Sequence, residues 1–90
     1  MAIHLTGKLI CNDEAQAAIV RAHLPEHIRL THAEPGCERF EVKPETPLVW
    51  SVRERFSDRA AFDAHQSRVK ASAWGQATQG IPREYQITED

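Results

Sequence analysis

The stretch Leu48–His65, LVWSVRERFSDRAAFDAH, constrains the fold more than any other part of the chain. Leu48, Trp50, Val52, Glu54 and Phe56 share one parity, which on a strand puts them on one face of a sheet. Ser57 is placed to cap a helix that starts at Asp58, with Phe56 and Ala61 as a hydrophobic staple. On that helix Ala61, Phe62, His65 and Val69 recur at helical spacing, so His65 lies on the inward stripe. A strand face bearing the carboxylate of Glu54 thus looks toward a helix that turns an imidazole inward. This is the best candidate site in the sequence.

The remaining segments supply the partners this unit needs. Residues 3–10 alternate, with Ile3, Leu5 and Leu9 against His4, Thr6 and Lys8, and read as a first strand. Asn12 or Asp13 is placed to cap a helix over 14–32, with Ala17, Val20 or Arg21, Leu24 and Ile28 on its buried side. Pro25 removes a backbone donor and crowds the Arg21 carbonyl, so a kink or break is expected there. Glu34-Pro35-Gly36 stops the helix, Gly36 being suited to a left-handed turn. A second strand follows over 37–43, with Phe40 and Val42 as its apolar residues, and Pro44 to Pro47 make the turn into the third. The second long helix is expected to reach about Arg68, with a bend at Ser67 and a short helical piece over 69–77 that includes Trp74. Residues 79–82 end it, and 83–88 form the last strand.

The order β-α-β-β-α-β is a ferredoxin-like α+β fold: a four-stranded antiparallel sheet with both helices on one face. The other face is left uncovered. With Leu5, Trp50, Val52 and Tyr85 on one side and Ile10, Cys37 and Val49 on the other, neither side reads as fully polar. A homodimer closed through the bare, partly apolar face is therefore expected.

Composition narrows the function. Ninety residues make a single domain, 1–90. A net charge of −2, with 11 Lys and Arg that form no basic run, gives no pull toward nucleic acid or an anionic membrane. No segment approaches the roughly 20 apolar residues of a membrane helix, and the N-terminus reads as a strand rather than a leader. Cys11 and Cys37 match no metal or redox spacing; packed reduced thiols make the cytoplasm the default location. His23 and His27 stand at the i, i+4 spacing of a metal pair, but no third ligand accompanies them and a solvated helix face is expected.

Glu34-Pro35-Gly36-Cys37 followed by Phe40, then Glu54-x-Phe56 and Ala60-Ala61-Phe62-x-x-His65, resembles the antibiotic biosynthesis monooxygenase family over nearly the whole chain. The resemblance implies a dimeric α/β barrel of two ferredoxin-like subunits pressed sheet to sheet. It implies oxidation of a quinol or phenolic, polyketide-like aromatic by O2 with no cofactor, in a pocket between sheet and helices. Glu54 and His65 fall on positions that are usually Glu and His in the family, while a second histidine often found just beyond is missing from 66–72. Residues 3–10 contain no Asn, which sets aside the haem-degrading relatives. The alternative is a non-catalytic barrel that binds a small aromatic ligand or acts in a stress response.

Within this frame His65 suits a general base, or equally a buried histidine that ties helix to sheet. Glu54 can orient its ring or pair with a nearby arginine. Trp50, Phe62, Trp74 and Tyr85 are candidate pocket walls as well as candidate core. His4 is added as a residue that could reach the same space.

Overall fold

Two aspartates start the two long helices. The computed structural model describes residues 1–90. In it Asp13 accepts a hydrogen bond from the Gln16 amide at 3.0 Å and starts α1 (Glu14–His32), which follows β1 (Ile3–Ile10). Asp58 accepts from the Ala61 amide at 2.8 Å and starts α2 (Arg59–Ala71). The second cap therefore falls one residue later than expected. Ser57 is tied elsewhere: its amide donates to the Gly36 carbonyl at 2.8 Å, which fixes it outside the helix.

Gly36 is the pivot of this junction. It adopts φ +84°, a left-handed conformation, and a Cβ there would come within 2.6 Å of the Ala61 Cβ and 2.8 Å of the Ser57 hydroxyl. The α1–β2 turn can thus press against the first turn of α2, which brings Glu34 beside the helix that holds His65.

Of the kink or break expected at Pro25, the break does not occur: α1 runs through it as one 19-residue helix. Pro25 and Arg21 are both exposed, so water can solvate the carbonyl left without an amide partner. Tertiary packing of Ala17, Val20, Leu24, His27 and Thr31 on the opposite side holds the helix together. The bend expected at Ser67 lies instead at Ser72. There the chain becomes extended and the Ser72 hydroxyl accepts from the Gly75 amide at 3.0 Å, starting α3 (Ala73–Ala77). A side chain at Gly75 would run into the Val69 carbonyl, so glycine permits this close turn.

The strands β2 (Cys37–Thr46), β3 (Val49–Phe56) and β4 (Arg83–Glu89) join β1 in an antiparallel sheet of order β2-β3-β1-β4. β2 extends three residues past the expected end and takes in Pro44. It is an edge strand, where a missing amide need not cost a ladder bond, and the register shifts between Pro44 and Thr46. The fold is the ferredoxin-like α+β arrangement, with the helices on one face.

That face carries the core: Ile3, Leu5 and Leu9 of β1, Trp50, Val52 and Phe56 of β3 and Phe40 of β2, packed under Ala17, Val20, Leu24, Phe62 and Trp74. The uncovered face differs from the expectation. Cys37 pairs with Phe56 and packs against the core. Ile10 and Val49 sit opposite each other at one end of the outer face. The rest of that face is His4, Thr6, Lys8, Arg39, Glu41, Lys43, Ser51, Arg53 and Arg55, with Glu84, Gln86 and Thr88 of β4. It is charged, not partly apolar, because the apolar residues of β1 and β3 fall on one parity. The exposed large apolar side chains besides Met1 are Tyr85 and Ile87, on the helix side of edge strand β4.

Candidate active site

His65 is turned inward from the middle of α2 and is only 4% exposed. Its Nδ1 lies 2.7 Å from Oε1 of Glu34, in the α1–β2 turn. The second oxygen of Glu34 accepts from Arg68 Nε, one turn further along α2, and Arg68 Nη2 donates to the Thr31 hydroxyl at 3.0 Å. Thr31 Oγ1 in turn donates to the His27 carbonyl at 2.8 Å. A carboxylate between a guanidinium and an imidazole favours Nδ1–H as the donor, which leaves Nε2 of the neutral ring as an acceptor. Glu34 therefore orients His65, in the place where Glu54 was considered.

Glu54 sits on the other side of the ring. Its Oε1 is 3.8 Å from His65 Nε2, beyond hydrogen-bond distance, and has no partner. Burial pushes its carboxyl pKa up to about 8, with the Glu34 charge adding to the shift, so at neutral pH the group is mostly protonated. His65 is shifted the other way: burial lowers its pKa while the hydrogen bond to Glu34 opposes the shift. His27, from α1, completes the group. It lies 6.2 Å from His65 by ring centroid, stacks on Trp74 at 4.6 Å with the rings 5° from parallel, and is held by burial at a pKa of about 3. The solvated face expected for His27 is thus a buried one, since Leu24, His27 and Thr31 share the inward stripe of the unbroken α1.

These groups border a cavity of about 70 Å3 between sheet and helices. Phe40, Val42, Leu5, Leu9 and Val52 supply apolar wall, Trp74 one side, and Arg83, Tyr85 and Gln66 the region toward β4. Gln66 and Tyr85 are the exposed members, so the mouth opens between α2 and β4.

Of the residues singled out in the sequence, the structure brings His65, Glu54, Trp74 and Tyr85 to this cavity. Three lie outside its wall. Trp50 is buried in the core next to Leu9 and Pro44 in the sheet register. Phe62 packs edge-on against Phe56 at 5.7 Å. His4 faces away on the outer side of β1, 2.7 Å from Asp90, because its parity is that of Thr6 and Lys8 rather than of Leu5 and Leu9. No three His, Cys, Asp or Glu side chains are gathered to hold a metal ion.

Residues 8–77, well over half of the chain, match the antibiotic biosynthesis monooxygenase family. The chain belongs to this family. No curated protein sequence matches it. Among solved structures, NE2512 of Nitrosomonas europaea, a protein of unknown function, is similar with a TM-score of 0.78 at 21% identity, over 97% of this chain and 86% of that one. Rv0793 of Mycobacterium tuberculosis gives 0.75 at 17% identity over 100% and 95% of the two chains. A mutant of SnoaB, a cofactor-independent oxygenase from Streptomyces nogalater, gives 0.73 at 10% identity over 99% and 92%. At these identities the likeness is one of fold. No helix of this family member is long and apolar enough to cross a membrane.

Four polar residues of the site, Glu34, Arg68, His27 and Arg83, are not assigned to it by the sequence, where His27 figures only as half of a possible metal pair. Glu34 is masked by its role in a turn. Arg68 follows His65 at i+3, a spacing that could have flagged it as a neighbour on the same helix face. His27 shares the stripe of Leu24 and Thr31, which the expected break at Pro25 conceals. Arg83 has no local signal: it reaches the site by donating to the carbonyls of Thr78 and Ile81 at 2.9 and 3.0 Å.

Proposed function

We propose that this protein is a cofactor-independent monooxygenase that oxidises a quinol or a related electron-rich phenol with O2, as a homodimer. The observation that supports this reading is the two-sided setting of His65, with Nδ1 bonded to Glu34 and Nε2 beside a cavity that it shares with Glu54. In this mechanism His65 Nε2 takes the proton of the phenolic hydroxyl, and Glu34 stabilises the imidazolium that forms. Glu54, protonated, donates a hydrogen bond to the same oxygen as it becomes anionic. A buried neutral carboxyl aimed at developing negative charge acts as an oxyanion donor. Two polar atoms 3.8 Å apart can share one oxygen at about 2.8 Å from each once the cavity opens, Glu54 Oε1 being closed off as it stands. The phenolate is the electron donor to O2, and the apolar walls keep competing water away from it.

The cavity is small for the task in its present form, about 70 Å3 against the roughly 300 Å3 or more of typical ligand sites. An aromatic ring therefore enters by displacing Tyr85 and Gln66 at the mouth. The homodimer rests on the family alone, since the uncovered sheet face is charged; a dimer formed through that face is expected to loosen with salt in light scattering.

The test is oxygen uptake with a panel of naphthoquinols and phenols. His65→Ala, folded as judged by circular dichroism, is expected to lose about 10²- to 10⁴-fold in rate. Equal rates in the variant would remove His65 as the base. No uptake on any member of the panel, with ligand still bound, would favour a binding protein.

A further inference from the structure

Eight of the eleven Lys and Arg side chains pair with a carboxylate. The three that do not are Arg53, on the outer face of the sheet, and Lys70 and Arg83. Those last two border one open groove of about 360 Å3 between the end of α2, α3 and the start of β4. The groove continues the candidate active site outward, since Gln66, Val69 and Arg83 border both it and the cavity of His65. Gln76 and Gln79 add to its polar wall, and no carboxylate lines it.

The groove on the outer sheet face makes the contrast. Lys8, Lys43 and Arg53 border it, but so do Glu45 and Glu41, which pair with the two lysines. Charge is matched there and unmatched in front of the cavity. On a chain of net charge −2, the mouth of the site is thus a local positive patch.

Arg83 is fixed in place. Its Nη1 donates to the carbonyls of Thr78 and Ile81, and its Nη2 donates to the Thr78 hydroxyl at 2.7 Å. These bonds use three of the five guanidinium N–H groups and go to neutral oxygens, so they hold the fork without neutralising it. No nitrogen of Arg83 is left buried and unpaired, so the unspent N–H groups reach the surface. The charge is felt at the mouth: burial raises the pKa of the Tyr85 phenol, and Arg83 opposes the shift. Lys70 is exposed in the last turn of α2, where the helix end offers it only a partial negative charge.

We propose that this groove binds a carboxylate of the ligand, which makes the substrate an aromatic acid: its phenolic ring enters the His65 cavity and its acidic group stays outside on Arg83, in the field of Lys70. The inference rests on the reading that the cavity takes a phenolic ring. Displacement of Gln66 and Tyr85 by that ring brings the ligand against Arg83, which borders both spaces. The hydroxyl and the carboxylate then belong at opposite ends of the ligand, one toward His65 inside and one at the mouth. A guanidinium already held by three bonds loses little freedom on taking up an anion, and Lys70 chiefly speeds its capture.

The experiment compares 6-hydroxy-2-naphthoate with its near-isosteric neutral amide in NMR titrations of the intact protein. Binding is read directly, whether or not either compound is oxidised. The indole N–H of Trp74, on the cavity wall, should shift saturably, and that of Trp50, outside it, should not. The acid should bind about ten- to a hundredfold more tightly than the amide, the worth of a hydrogen bond to a charged group. Added salt should weaken the acid alone. Arg83→Gln should erase the preference for the acid. Because that variant also frees the Thr78 and Ile81 carbonyls, Lys70→Gln is the second arm; it changes an exposed position and should cost the acid about two- to fivefold and the amide nothing. Equal affinity for acid and amide overturns the proposal and leaves the phenol-binding reading standing. No saturable shift with either compound overturns both.

Discussion

The two edges of the His65 ring live in opposite environments. On the Nδ1 edge Glu34, Arg68 and Thr31 form a connected set in which Glu34 uses both oxygens and Arg68 two nitrogens. On the Nε2 edge Glu54 Oε1 has no partner, the Glu54 side chain lines a cavity, and Nδ1 of nearby His27 has no partner either. The first edge has the form of a support, and the second of a site waiting for a ligand. The difference teaches that the same residue type, glutamate, does two jobs around one imidazole, set by whether an arginine is at hand. Glu34 shares its carboxylate with Arg68, whereas Glu54, buried without a cation, holds its proton at neutral pH.

The largest expected effect on stability lies on the unsatisfied edge and is read by pH. Below pH 4.5 the Glu54 carboxyl is protonated in folded and unfolded chains alike; above it the unfolded chain releases a proton that the folded chain keeps until about pH 8. Its contribution is therefore complete in acid and is lost as pH rises through that window, by at most about 5 kcal/mol. His27 acts in the opposite sense. It is neutral in both states above pH 6.5, and below that the unfolded chain takes up a proton that the folded chain refuses until about pH 3. The Glu54 and His27 slopes cancel between pH 4.5 and 6.5, so the tilt left there is that of His65, whose lowered pKa makes stability fall as pH drops below 6.5; stability should peak near pH 6.5 and fall on either side. Urea denaturation across pH checks this. Glu54→Gln should remove the alkaline fall and His27→Gln should soften the acid one. An unchanged alkaline slope in Glu54→Gln would erase the contrast between the two edges.

A smaller effect is expected on the satisfied edge. Glu34→Gln leaves the Arg68 guanidinium without its anion and weakens the bond to His65. Both partners are partly accessible, with 14% of the Glu34 side chain and 29% of Arg68 exposed, so water relieves some of the loss. A cost of about 2–3 kcal/mol is expected in chemical denaturation. Loss of the anion should also lower the His65 pKa further, measured by its NMR titration. A variant that unfolds no more easily and titrates His65 unchanged would mean that Glu34 is not its support.

The sequence discloses these two edges unequally. The element order and the inward parity of Trp50, Val52, Glu54 and Phe56 are legible because periodicity reports burial directly. His65 is legible for the same reason. Glu34 is not, because it acts across 31 positions of sequence and its own neighbourhood, a proline and a glycine, describes only a turn. His27 is hidden by the local cost of Pro25, which the packed side of α1 overrides. The charged outer face is misread by placing Cys37 on the wrong parity; the register shift between Cys37 and Arg39 moves it to the core side.

The smallest effect should come from His4, which the sequence offers as a residue able to reach the same space as His65. His4 Nε2 lies 2.7 Å from Asp90, as close as His65 Nδ1 lies to Glu34. Distance alone would rank the two contacts equal. Exposure separates them: the His4 and Asp90 side chains are 32% and 63% exposed, against 4% and 14% for the His65 pair. An exposed pair gains little, since water and salt screen the attraction and holding two side chains in one geometry costs entropy. His4→Ala should therefore change stability by less than about 1 kcal/mol, with no change in oxygen uptake or in the His65 titration. A loss of activity in His4→Ala would show that the outer face takes part in the reaction, through a partner subunit or otherwise, and the chemistry could no longer be assigned to the Nε2 edge of His65 alone.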